Sequence, residues 1–393
     1  MTRGAVPITG LGCVSAAGPT LDACMASMFR GHRAPAPPRR FSTSHSVRYP
    51  VFEVPDFQAP AAILRTAALL LQAAGEALAA AGLDRELLAS LRVGACIGTT
   101  VGSAMNDEAF CRAFRTGADP SMGPMDRILA SNPAAVLARE LGLTGPCQTI
   151  VNACSSGTDA VGLGASWIEA GLCDLVLAGG ADELGRITYN GFISMRIYAP
   201  GPCRPFDRDR EGLNLGEGAA VLVLESPGLL ERRRARARAF VLGYGSSCDA
   251  YHPTAPSPDG AGLERALQEA MAAGGIDPSQ VAFVNAHGTS TADNDRVEAQ
   301  VLARKLPGVP FLSTKGFTGH TLGAAGAMEA AFTVACLEQG RIPASAGFAT
   351  QDPDLGAAPV RENTKTRGTV ALSQSLAFGG NNAVLALGLG ARP

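Results

Sequence analysis

Neither sign of charge predominates in this chain. Its 33 Lys and Arg against 35 Asp and Glu leave a formal net charge of −2, which excludes a general nucleic-acid binder. Attraction to an acidic partner would have to come from a local basic patch. No apolar run reaches the length of a membrane span. The first residues, MTRGAVPITGLGCVSAAG, carry one Arg and then strand-like residues broken by glycines. They lack the unbroken apolar stretch of a signal peptide. Ten cysteines are scattered along the chain without a CxxC pair or a Cys/His cluster at zinc spacing. In a chain this long, those absences point to reduced thiols, a cytoplasmic location, no membrane association and no structural metal.

What is present is a chain of 393 residues, 46% hydrophobic and 17% charged. That length and balance suit a folded protein with one large or two medium domains. Strand and helix patterns alternate throughout, which predicts an α/β fold with covered sheets. Strand runs occur at 92–97, 147–153, 175–178, 219–225, 240–244, 281–285, 310–313, 369–373 and 383–387, with 92–97, 175–178 and 281–285 reading as buried. Helical patterns occur at 19–29, 61–81, 105–115, 131–141, 260–273, 295–306 and 322–338. Residues 31–60, rich in Pro, Arg and Ser, read as an irregular surface excursion, and 185–217 as mostly loop. VPITGLGCVSAAG near the start echoes FVLGYGSSCDAYH from Phe240, and GAAVLVLES at Gly218 echoes NNAVLALGL at Asn381. The common order of these echoes suggests two similar halves, 1–239 and 240–393.

Three stretches carry chemistry. Cys154, in VNACSSGTDAVG, sits where a strand stops and an Ala/Gly-rich helix begins. Ser155, Ser156, Thr158 and Asp159 are residue types that accept from the unpaired N–H groups of a helix start. A thiol there feels the positive end of the helix dipole, which favours the thiolate. Taken alone, a Cys in such a segment is more often only a small buried hydrophobe. His287 in VNAHGTST and His320 in STKGFTGHTLGAAG both leave buried strands into Gly/Thr loops, where α/β proteins place ligands. Either one alone reads equally well as a loop or capping histidine. Lys315 stands in the second of these loops, either as a surface lysine or as a cation able to shift a neighbour's pKa. Phe378, followed by two glycines in SLAFGGNN, reads as a movable aromatic gate or as a side chain beside a turn. A nucleophile with two proton carriers or hydrogen-bond donors is a catalytic set.

Together, NACSSG, NAHGTST, STKGFTGHTLGAAGAMEA, AFGGNN and CRPFDRDREGLNLGEGAAVLVLE resemble the β-ketoacyl-acyl carrier protein synthases. The likeness is to the elongating, Cys-His-His type of the thiolase-like superfamily, and it spans nearly the whole chain. It implies a five-layered αβαβα core of two similar halves, a homodimer, acyl carrier protein as partner and no cofactor. It implies that Cys154 takes the acyl chain as a thioester, and that His287 and His320 support decarboxylation of malonyl-acyl carrier protein. The N–H groups of Cys154 and Phe378 would form the oxyanion hole, with Lys315 ordering the histidines. Thr289 and Thr291 match threonines that hold the pantetheine arm, and Glu298 matches a structural glutamate near the lysine. Asn285, Glu298, Glu329 and Ser373 match positions that surround a monovalent cation in some relatives.

The chain also departs from that pattern. Ala377 stands where the gate loop usually has Gly, which restricts its swing. Met105 or Asn106 falls where relatives close the acyl pocket, and polar Asn106 and Asp107 argue against a long saturated chain. The 31–60 excursion points equally to a specialised polyketide or polyene system and to fatty-acid elongation. Arg65, at the start of a helix near the entrance in relatives, is the better candidate to meet an acidic carrier. The run Arg232 to Arg238 reads first as solvated surface. The alternative to a catalytic condensing enzyme is a partner subunit of the chain-length-factor kind in a ketosynthase heterodimer, which usually lacks the nucleophilic cysteine.

Overall fold

Runs that are apolar on both faces become central strands. Every residue of β1 (Val6–Ser15) is buried, and the same holds for β2 (Val93–Gly98). The remaining strands are β3 (Cys147–Ile150), β4 (Leu175–Asp182), β5 (Gly218–Glu225), β6 (Ala239–Cys248), β7 (Val281–Asn285), β8 (Phe311–Leu312), β9 (Arg341–Ile342), β10 (Thr364–Lys365), β11 (Val370–Ala377) and β12 (Asn381–Gly388). These come from a computed structural model that describes residues 4–60 and 62–390.

Ten strands form one sheet in the order β3-β2-β4-β5-β1-β6-β12-β11-β7-β8. Read outward from the β1/β6 contact, the two sides repeat each other. β6 stands for β1, β12 for β5, β11 for β4, β7 for β2 and β8 for β3. The pairing senses repeat as well. β2 runs parallel to β3 and β4, as β7 does to β8 and β11, and the other pairs are antiparallel. The join between the two sides is short, from Val6↔Val241 to Ile8↔Ala239.

Two helices, Ser156–Glu169 and Ala325–Gln339, lie between the two sides and touch strands of both. The second is buried all round from Ala325 to Leu337, as a helix in a central layer must be. They cross closely at Gly157, where a Cβ would sit 2.7 Å from the Ala327 nitrogen. Helix Arg65–Ala81 covers β1 and β5 on one outer face, and helix Ala261–Gly274 covers β6 and β12 on the other. The result is five layers, helix, sheet, helix, sheet, helix, around a largely aliphatic core.

The departures from expectation have local causes. Residues 185–217 are mostly loop, as expected, but they also hold an unexpected helix, Arg186–Ser194. Its Gly185 cap offers no side-chain acceptor, so no start signal marks it in the sequence. A further helix, Gly123–Ala130, is likewise entered without a side-chain cap. The long helix starts at Arg65, and Ala61, the first residue of its expected range, lies outside the described residues. The 31–60 excursion is irregular but not detached. Phe41 and Val51 pack with Tyr189 and Tyr198, so the excursion braces helix Arg186–Ser194.

Candidate active site

β3 ends at Ile150, and the chain then turns sharply into helix Ser156–Glu169. Ala153 takes a left-handed φ of 47° to make that turn. A side chain at such a φ is strained, and the surroundings must enforce it. Cys154 follows at once, only 5% exposed. Burial pushes its thiol up to about 11, against the pull of the Lys315 charge and the Phe378 backbone N–H. The expected lowering by the helix start is thus corrected, since desolvation is the larger effect. The polar residues at the turn are not simple caps either. Ser156 Oγ accepts from the Asn152 N–H, outside the helix, and the Ser155 hydroxyl shares its proton between Asp159 Oδ2, one turn ahead, and the Asn152 carbonyl behind it.

The second half supplies the facing groups. His287 lies just beyond β7, Lys315 begins the short helix Lys315–Thr318, and His320 follows Gly319. All three are at most 2% exposed. The imidazoles meet edge to face, with centroids 5.3 Å apart. One nitrogen of each and the Cys154 sulfur lie within 4.8 Å of one another.

Hydrogen bonds fix which tautomer each histidine carries. The Leu322 backbone N–H donates to His320 Nδ1 at 3.0 Å, so that nitrogen must accept. Lys315 Nζ sits 3.0 Å from His287 Nδ1 and 2.7 Å from the His287 carbonyl. Burial, then the Lys315 charge, holds both imidazoles well below their usual pKa, so both are neutral. With Nδ1 accepting in each ring, Nε2 bears the single proton. Both rings therefore offer an N–H. A Cys-His-His cluster this tight also has the spacing of a metal site. Protonated Nε2 atoms, however, have no lone pair for an ion, so the donor set is built for hydrogen bonding.

Acids hold this arrangement in place. Glu329, 2% exposed, pairs with Lys315. Burial raises the Glu329 carboxyl to about 7, against the pull of that lysine. Glu298 accepts from the backbone N–H groups of His287 and Gly288 and from Gln374. It fixes the loop, and Glu329 is the lysine's own partner. Asn285 Oδ1, Glu329 Oε2 and Ser373 Oγ are buried without hydrogen-bond partners. They are oxygen donors of the kind a hard cation takes. Glu298 fits that set less well, since both its oxygens are engaged.

Phe378 closes the site. Gly379 and Gly380, with φ of 86° and 82°, make the turn from β11 to β12. The Phe378 ring stacks on Phe192 with centroids 5.6 Å apart and planes 19° apart. A cleft of about 310 Å³ runs from the surface to Cys154, lined by His287, His320, Phe378, Thr289 and Thr291. The two threonine hydroxyls are 2.8 Å apart. Met105 packs against the aromatic cluster that also receives Phe378. Asn106 turns away and donates to the Pro124 carbonyl at 2.6 Å. Arg65 is not a docking residue. Its guanidinium is 10% exposed and pairs with buried Glu217. The run 232–238 is not uniformly solvated either, since Arg233 reaches Glu225 and the Ala81 carbonyl.

Sequence reading missed the roles of Glu329 as the lysine's partner and Phe192 as the surface under the gate. Glu329 had a signal, being the one charge between Ala325 and Leu337. Phe192 had none, because its helix went unrecognised.

Comparison with known proteins agrees with this geometry. A family model described as beta-ketoacyl synthase, N-terminal domain, matches residues 4–227, and its C-terminal counterpart matches 238–349. A 3-oxoacyl-[acyl-carrier-protein] synthase 2 from Synechocystis sp. is 32% identical over 97% of both chains. The solved ishigamide ketosynthase/chain length factor is similar over 98% of this chain and 99% of that one, with 33% identity and a TM-score of 0.92. A type II polyketide synthase acyl-carrier protein in complex with its ketosynthase bound to the hexaketide matches over 98% and 99%. That match has 26% identity and a TM-score of 0.89.

Proposed function

Because the chain belongs to the β-ketoacyl synthase family, we propose the following course for the decarboxylating condensation it catalyses in fatty-acid or polyketide elongation. Acyl-acyl carrier protein presents its thioester down the cleft, with Thr289 and Thr291 along the pantetheine arm. Cys154 Sγ bonds to the acyl carbon, the carrier's S–C bond breaks, and the thiol proton leaves on the carrier sulfur. Malonyl-acyl carrier protein follows. The Nε2–H groups of His287 and His320 donate to its thioester oxygen. The bond to the carboxylate breaks, CO2 departs, and the electron pair becomes enolate charge on that oxygen. Donors aimed at charge that appears only in the transition state are where such sites gain most.

The enolate carbon then attacks the acyl carbonyl. The backbone N–H groups of Cys154 and Phe378 hold the resulting oxyanion. Its collapse expels the Cys154 thiolate, which takes a proton from solvent, and β-ketoacyl-acyl carrier protein leaves. Lys315 transfers no proton; it keeps Nδ1 of His287 an acceptor and so keeps the proton on Nε2. A monovalent cation would be held by Asn285, Glu329 and Ser373, adding positive charge beside Glu329. Residues 1–239 carry the nucleophile and 240–393 the histidines.

The acyl carrier protein is the partner for both substrates. A second subunit, a copy of this chain or a related one, would pair along the open edge of β3, where Cys147 and Gln148 are exposed and Val151 is 66% exposed. Among the described residues no helix is long and apolar enough to cross a membrane, which fits a cytoplasmic enzyme. The observation that carries the reading is the convergence of one nitrogen of His287, one of His320 and the Cys154 sulfur within 4.8 Å of one another. The test is to supply acyl- and malonyl-acyl carrier protein and follow both CO2 and the mass of the carrier-bound product. CO2 with no carbon–carbon bond formed would leave a decarboxylase, and neither product would overturn the reading.

A further inference from the structure

The strained turn before Cys154 is held by one carboxylate that the reaction itself does not use. Asp159, 7% exposed, lies one helical turn beyond the nucleophile. Its Oδ2 accepts from Asn152 Nδ2 at 2.7 Å and from Ser155 Oγ at 2.8 Å. Asn152 and Ser155 flank the Ala153–Cys154 pair on either side. Asp159 thus ties both ends of the turn to the first turn of the helix. Its Oδ1 accepts from the Tyr244 hydroxyl at 2.8 Å.

Tyr244 comes from β6, across the seam between the two halves. Its ring lies flat against Gly162, where a Cβ would meet ring carbons at 2.3–2.6 Å. Only a glycine at 162 lets the ring pass to Asp159. Burial, with the nearby Asp159 charge, raises the Tyr244 hydroxyl well above its ordinary range, so it remains a donor. Three donors on one carboxylate, two gripping the turn and one anchored in the other half, make a brace rather than a surface pair.

We propose that Asp159 is a positioning residue for the nucleophile, and that Tyr244, admitted by Gly162, anchors it from the second half. The proposal rests on the acyl-transfer role given to Cys154. It predicts that Asp159 matters for acylation of Cys154 and not for the decarboxylation performed by His287 and His320, which stand on other elements.

The test separates the two half-reactions. Single-turnover acylation by acyl-acyl carrier protein is measured in the wild type, Asp159→Ala, Asp159→Asn and Tyr244→Phe. CO2 release from malonyl-acyl carrier protein is measured in Cys154→Ala with and without Asp159→Ala. Asp159→Ala should slow acylation about 10²-fold, the scale of a misplaced reacting atom, with carrier KM unchanged. CO2 release should stay within about threefold. Asp159→Asn can still accept from Asn152 and Ser155 while donating to the tyrosine oxygen, so it should restore most of the rate. Tyr244→Phe, which loses one of three donors, should cost about threefold to tenfold. Acylation by Asp159→Ala at the wild-type rate would overturn the proposal. So would an equal fall in both half-reactions, which would mark a merely structural residue. If the wild type itself takes no acyl group, the nucleophile assignment fails instead.

Discussion

The two halves contribute to the site in opposite ways. The first half offers a strained turn. Ala153 and Asn152 are only half-buried, Val151 beside them is 66% exposed, and the turn is held by a few side-chain hydrogen bonds. The second half offers a rigid, dry block. His287, Lys315, His320, Glu298 and Glu329 are each at most 2% exposed and are locked to backbone and to one another. The nucleophile's reactivity is therefore set by geometry. The donors' competence is set by charge state, through burial and one ammonium. A duplicated fold has put strain on one side and electrostatic control on the other.

The sharpest way to break that division is Cys154→Ala. It should abolish condensation while leaving CO2 release from malonyl-acyl carrier protein, because the second half is intact. Product mass and CO2 assays distinguish the two. Lys315→Ala should come next. It strands the buried Glu329 carboxylate and frees His287 Nδ1, costing about 3–5 kcal/mol of stability as well as decarboxylation. Thermal melting with CO2 release would register both. His320→Ala should slow decarboxylation by about 10²-fold, the usual scale for losing one such donor. Acylation of Cys154 should change little, as read by single-turnover kinetics.

How the halves were legible in the sequence follows the same division. Cys154 stands just past an edge strand, His287 and Lys315 just past buried ones, and His320 in the same Gly/Thr-rich stretch as Lys315, and local pattern was enough to find them. The mirrored strand order was foreshadowed by the echoes at Val6 and Phe240. The supporting contacts were not legible, because they join residues far apart in the chain. Arg65 looked like a surface cation until Glu217, 152 residues later, was seen beneath it. Tyr244 reaches Asp159 across 85 residues and Lys315 meets Glu329 from a different helix. Periodicity reports which face is buried, not which polar partner waits there.

A weaker effect tests the charge state of the second half. Both imidazoles have folded pKa values well below the ordinary 6.5, so below that pH the unfolded chain binds more protons than the native one. Their contribution to stability is complete above about pH 6.5 and is lost as pH falls toward the depressed values. Buried carboxyls raised to about 7, such as Glu329 and Glu298, pull the other way, so the check is the difference: melting temperature should fall less, or rise more, from pH 8 to 5 in His320→Ala than in the wild type. The smallest expected effect belongs to a chelator. Since both Nε2 atoms carry protons, EDTA should leave decarboxylation unchanged, and a loss of activity restored by zinc would contradict the tautomer assignment.

One measurement bears on the central claim most directly. The protein is incubated with acyl-acyl carrier protein alone, digested, and every cysteine-containing peptide is weighed. The geometry predicts the acyl mass on the peptide holding Cys154 and on no other of the ten cysteines. An unmodified Cys154, or acyl groups carried elsewhere, would contradict it.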